Sequence, residues 1–296
     1  MAGPVRRLAG VAVVLALVAG CGQARAGTAL PKGDDASSYV GAKFEQAMAK
    51  LTDKLKDTHD AASSLQKYFR VDDKYAQTTL TAARVGSPES RIVRNRGVKN
   101  PDEVIDTFTP AVGAVEYTYL GPAYRSLAPT AWVSTPKPEA GLVSPCSWPG
   151  LIVPCNMANA TYAAYDKDKR AVRSARSTAD ARTELTVDVP LGTFLDERVI
   201  ALPTKVRENV GDALRKGVIP AVITLNPDGS PASFVMDAKL EGDGHKVELR
   251  YDFKFTGNAT VQDLPKIPDP PQVTVLDQAG ADDFDRRVLE FQAASG

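Results

Sequence analysis

From Val247 to Phe255 the chain alternates without a break, with Val247, Leu249, Tyr251, Phe253 and Phe255 set against Glu248, Arg250, Asp252 and Lys254. Successive side chains of a strand point to opposite faces, so this run predicts a strand with one oily and one wet side. Ser233 to Leu240 alternates in the same way through Phe234, Met236, Ala238 and Leu240, and Ala221–Leu225 is a short apolar strand before it. Asn226-Pro227-Asp228-Gly229 and Glu241-Gly242-Asp243-Gly244 separate the three runs, and both are turn-forming. The pattern predicts a three-stranded antiparallel meander whose oily face must be covered.

Upstream the period changes. Phe44, Met48, Leu51 and Leu55 recur at helical spacing, and Ala62, Leu65 and Phe69 continue the stripe, predicting one long helix from about Tyr39 to Phe69 with His59 on its apolar side. Its polar face mixes Lys43, Glu45, Lys50 and Asp53, which suits a core-facing helix better than a lysine-rich membrane-surface one. Tyr75–Leu80, Val115–Leu120 and Thr183–Val189 read as strands, and Asn100-Pro101-Asp102-Glu103 as the start of a short helix. Residues Pro136 to Cys155 read as proline-rich loop. Further helices are expected over about Pro203–Lys216 and Asp282–Ala294, with a closing strand at Val273–Leu276.

The N-terminus has a different logic. Arg6 and Arg7 precede the apolar run Leu8–Ala19, which stops short of the roughly 20 residues that span a bilayer. Val18-Ala19-Gly20-Cys21 resembles the bacterial lipobox. That resemblance implies removal of residues 1–20 as a signal and lipid modification of Cys21, placing the chain on the outer face of the cytoplasmic membrane. Cleavage after Ala24-Arg25-Ala26 is the alternative, and would leave a free domain. Residues 21–38 are small, polar and broken by Pro31 and Gly33, a flexible tether to a single domain over residues 39–296. With 36 basic and 36 acidic residues in the whole chain, no basic field exists to recruit nucleic acid or anionic lipid.

Chemistry is mostly excluded by what is missing. With Cys21 lipidated, Cys146 and Cys155 are left to pair in an oxidising compartment. The two histidines, His59 and His245, are far apart, and no H-E-x-x-H, G-x-S-x-G or Walker-type loop occurs. His245 reads as an exposed turn residue. The acidic groups at Asp72-Asp73, Asp166/Asp168 and Asp282/Asp283/Asp285 lack the stepped spacing of a calcium loop. No catalytic residue, metal site or cofactor is expected.

The order of long helix, strands, helix and meander resembles the LolA-like lipoproteins of actinobacteria, the LppX and LprG type. The likeness rests on Val218–Gly229 and on the alternating strand ending Phe253-Lys254-Phe255, and extends over about Tyr39–Leu276. It implies an α+β fold, a strongly curved antiparallel half-barrel sheet with helices on its concave face. It also implies an apolar cavity for a lipid or lipoglycan. Phe44, Met48, Leu51, Leu55, Phe234, Met236, Leu249, Tyr251 and Phe253 are the residues that would line it. Two classes of function stand side by side: an amphiphile-binding module with such a cavity, or an envelope scaffold with a solid core that presents loops such as Leu142–Cys155 to a protein partner.

Overall fold

The computed structural model describes residues 34–56, 59–137, 145–202 and 204–295. The expected signal sequence, Cys21, most of the expected tether and residues 138–144 of the proline-rich loop lie outside these. Twelve strands form one open sheet: β1 (Ala61–Val71), β2 (Lys74–Val85), β3 (Ser90–Gly97), β4 (Val104–Thr109), β5 (Val115–Leu120), β6 (Trp132–Pro136), β7 (Val172–Ser177), β8 (Thr183–Pro190), β9 (Val218–Leu225), β10 (Pro231–Gly242), β11 (His245–Asn258) and β12 (Val273–Val275). Among the described residues six α-helices accompany them: α1 (Asp34–Lys56), α2 (Ile152–Lys167), α3 (Leu191–Asp196), α4 (Thr204–Glu208), α5 (Asp212–Arg215) and α6 (Gln278–Ser295).

The strand order is β12-β6-β5-β4-β3-β2-β1-β11-β10-β9-β8-β7, antiparallel throughout except for the short β12 beside β6. The sheet is curved and does not close, and helices pack on its concave face. Sequential hairpins build both wings, and the pairing of β1 with β11 joins the two halves of the chain at the centre. Residues directly opposite across strands share a face. One row can therefore be followed across nine strands: Leu185, Ile223, Phe234, Phe253, Leu65, Leu80, Asn95, Ile105 and Leu120.

On the concave side the principal core joins this row to α1, α2, α3 and α5, with Phe44, Leu51, Met157, Phe194 and Leu214 all fully buried. A second concave patch covers Leu120 and Val133 with Phe284, Val288 and Phe291 of α6. On the opposite face Ala83, Val85, Ile92 and Phe108 are covered by the segment after β11, through Ala259 and Leu264.

The meander stands as expected, with β9, β10 and β11 adjacent. Its second turn places Asp243 and Gly244 at positive φ, 54° and 79°, the two-residue geometry that matches strand twist. Five expectations are corrected. The long helix ends by Lys56, and Ala62, Leu65 and Phe69 belong to β1. A spacing of four residues fits a helix turn and is also a multiple of two, so Leu65 and Phe69 satisfy both periods. At the other end α1 takes in residues 34–38 of the expected tether. The stretch from Asn100 is a turn: its side chain accepts from the Asp102 amide at 3.1 Å and its carbonyl from the Glu103 amide. Val153 to Cys155 lie in the first turns of α2, where Pro154 costs no ladder bond because first-turn amides have no helical acceptor. Finally, the helix over 203–216 is split into α4 and α5. At Gly211, between them, any β-carbon would run into the Asp243 carboxylate, which accepts from the Ala213 amide at 2.9 Å.

Candidate functional site on the concave face

The residues expected to line a cavity are all buried in the principal core. Phe44, Met48, Leu51 and Leu55 of α1 and Phe234, Met236, Leu249, Tyr251 and Phe253 of β10 and β11 all belong to it, and none of the nine is more than 3% exposed. Accessible surface counts internal voids large enough for water, so side chains this bare of it pack against one another without a water-sized gap. α1 is also clamped to α2. The Phe44 and Tyr165 rings lie 4.4 Å apart, and the Tyr165 hydroxyl donates to Glu45 at 2.8 Å. Burial and the Glu45 carboxylate together push that phenol up to about 12. A shallow groove of 310 Å³ opens beside the clamp, with Met48 and Thr52 on one side and Asn159 and Tyr162 on the other. It touches one of the nine residues, Met48.

The free concave surface lies elsewhere. Between the helices over β7–β2 and α6 over β5–β6, the inward positions of β3 and β4 are only partly covered. Arg91, Asn95 and Gly97 of β3, Ile105 and Thr107 of β4, and Thr78 of β2 all keep accessible surface, and Ala76 is exposed. They form a trough two to three strands wide. The seven residues from Arg91 to Gly97 give it a length of roughly 20 Å at about 3.3 Å per residue.

Both ends of the trough carry charge. At one end Arg84 and Arg91, opposite each other in register, place their guanidinium carbons 5.7 and 5.9 Å from the centre of the Trp148 ring. Trp148 is held there because Gly150 and Ala82 leave room for its six-membered ring; a β-carbon on Gly150 would meet that ring at 2.8 Å. Among the described residues its buried indole N–H has no acceptor. Carboxylates balance these arginines. Glu89 is 3.9 Å from Arg84, and Glu116, which accepts from Thr109 at 3.2 Å, feels Arg91 and Lys137. Burial nevertheless raises the Glu116 pKa above the usual carboxylate range.

At the other end stands Lys67. In β1 it occupies an inward position, in alternation with Leu65, Phe69 and Val71, all of which are in the core. Its register partners are Tyr251 on β11 and Thr78 on β2. Lys67 is half-buried, its ammonium deep enough that loss of solvation lowers its pKa, and no nearby carboxylate counters the effect. Burial likewise pushes the Tyr251 phenol up, with its ring edge-on to Phe194 at 5.4 Å. Among the described residues, neither Lys67 nor the Tyr251 hydroxyl has a hydrogen-bond partner.

Cys146 and Cys155 form a disulfide, with Cα atoms 5.7 Å apart. It ties the turn before Trp148 to the start of α2 and so fixes the tryptophan that closes one end of the trough. Neither histidine is where the pattern put it. His59 lies past the end of α1, exposed, 3.8 Å from Glu89. His245 is half-buried rather than an exposed turn residue: its Nδ1 is 2.8 Å from Asp72, linking the β1–β2 and β10–β11 turns. The trough residues escaped the sequence reading because β3 and β4 carry polar groups on both faces and show no clean alternation. The one signal was Lys67 itself, a cation two positions from Leu65 and Phe69, which a strand places on the oily side.

No family model matches the chain, and no curated protein does. Among solved structures, similarity is found to the lipoprotein LppX of Mycobacterium tuberculosis, with 12% identity over 76% of this chain and 98% of that one and a TM-score of 0.31. A putative outer membrane lipoprotein-sorting protein domain from Vibrio parahaemolyticus matches at 10% identity over 77% and 96%, with a TM-score of 0.21. A DUF1329 family protein from Desulfovibrio piger matches at 7% identity over 76% and 97%, with a TM-score of 0.25.

Proposed function

We propose that the protein is a non-catalytic binding module of the cell envelope, held on the outer face of the cytoplasmic membrane by lipid on Cys21, that takes a lipid or other amphiphile on its concave face. The observation that carries this reading is the uneven cover of that face. Two groups of helices bury its ends and leave between them an elongated trough over β3 and β4, where Ile105 and Thr107 keep accessible surface, with charge at each end. A site of this composition suits a long apolar molecule with a polar head. In this reading Tyr251 and Phe253 stand on the wall nearest the trough. Phe44, Met48, Leu51, Leu55, Phe234, Met236 and Leu249 make that wall solid, and they reach ligand only if α1 parts from the sheet.

The dense packing of those same residues favours a second reading, a scaffold with a filled core that binds a protein partner. Organic extracts of the purified full chain, examined by mass spectrometry, separate the two. A co-purifying lipid at near-stoichiometric amount is the outcome expected for the carrier. Extracts free of lipid, together with a stable protein crosslink in intact envelopes, would establish the scaffold instead.

A further inference from the structure

Lys67 is the one trough residue whose charge the described protein leaves unanswered. The arginines at the far end have Glu89 and Glu116 beside them. Lys239, Lys246 and Lys254 on the outer surface of the same wing pair with Glu248, Glu241 and Asp252. Lys67 faces inward, and its flanking inward positions are Leu65 and Phe69. A partly desolvated ammonium without a counter-charge is costly to keep, and a methionine of similar length would fill the same space without that cost.

Two hydroxyls accompany it. Tyr251 and Thr78 sit directly opposite on either side, so their β-carbons lie about 5 Å from that of Lys67. Three donor groups thus lie side by side on the same face, where the solid core meets the open trough, and Lys67 and Thr78 both keep accessible surface. A single anionic group would satisfy all three, whereas a hydroxyl or an ester carbonyl would leave the ammonium uncompensated.

We propose that Lys67, with the hydroxyls of Tyr251 and Thr78, is the headgroup site for an anionic amphiphile, a carboxylate or phosphate whose apolar tail lies along the partly covered trough past Ile105. This rests on the amphiphile reading above and narrows it to a charge class. The lowered pKa of Lys67 agrees with the geometry, since a bound anion would restore the ammonium to its ordinary range.

The test uses the full chain carrying Cys21→Ser, to keep the probes from partitioning with the anchor, and three probes with one oleoyl chain each: oleate, oleoyl lysophosphatidate and uncharged monoolein. Calorimetric titration is expected to show oleate or the lysophosphatidate binding roughly tenfold or more tighter than monoolein. Which anion binds tighter tells carboxylate from phosphate. Lys67→Gln should erase the preference for the anionic probes, and Lys67→Arg should restore part of it. Lys67→Met, which removes the cost of the unpaired ammonium, should raise the denaturation midpoint and confirms that variants at this position fold. Equal affinity for all three probes, unaffected by Lys67→Gln, would overturn the headgroup site and leave amphiphile binding intact. Failure of every probe to bind would overturn the amphiphile reading and this inference with it.

Discussion

Asp72 shows how a single side chain can join two turns distant in sequence. Its Oδ1 accepts from the Lys246 amide at 2.9 Å and its Oδ2 lies 2.8 Å from His245 Nδ1, so the β1–β2 turn is pinned to the β10–β11 turn. The backbone bond first, and the His245 contact second, hold the Asp72 carboxyl below its ordinary value of 3.8. A carboxyl depressed in the folded state stabilises the fold fully above its unfolded pKa and loses that contribution as pH falls through the folded one. Asp72→Asn should therefore lower the urea midpoint at pH 7. The gap between wild type and variant should narrow steadily on acidification below about pH 4, the ordinary carboxylate range. A gap that stays constant down to pH 2 would show that the carboxylate charge plays no part in the pin.

Among the elements, α2 is the one that the disulfide disciplines. Its buried face is built of small residues, Ala158, Ala160, Thr161 and Ala164, with few large anchors beyond Met157 and Tyr165. Such a helix sits close to its neighbours but contributes little apolar area, so the link from Cys146 to Cys155 matters more than it would for a leucine-rich helix. Closing so short a loop stabilises by about 2–3 kcal/mol. Replacing both cysteines by serine should cost about that much in equilibrium unfolding and should increase quenching of Trp148 fluorescence, because the turn that carries it is released. The same composition explains why α2 was illegible in sequence: alanines on every side leave no stripe, and Pro154 reads as loop. β9 to β11 were legible because the inward positions from Ile219 to Leu225, Phe234 to Leu240 and Val247 to Phe255 are all apolar and each turn carries its own glycine. β1 was misread because Lys67, at an inward position between Leu65 and Phe69, broke the alternation that would have announced a strand. The feature that hid the strand is the one that marks the site.

At the scale of the whole molecule, the question is what holds the domain to a membrane. The chain carries 36 basic and 36 acidic residues, and loss of residues 1–20 removes only Arg6 and Arg7 from that balance. A near-neutral domain gains little from anionic head groups, whose attraction amounts to about 1 kcal/mol for each clustered basic residue near the surface. Among the described residues no helix is long and apolar enough to cross a bilayer. The anchor proposed at Cys21 would then have to supply nearly all of the affinity, and acyl chains can do so at about 0.8 kcal/mol per buried methylene when two or more are attached. Two consequences are measurable. The wild-type chain should stay with membranes in high salt and leave them only in detergent, because hydrophobic insertion is not screened. Cys21→Ser should move the exported protein into the soluble fraction at low salt as well as high. A Cys21→Ser protein that still sediments with membranes, and is released by salt, would mean that a charged surface or a membrane-bound partner does the holding. The trough would then be reached from a fixed dock.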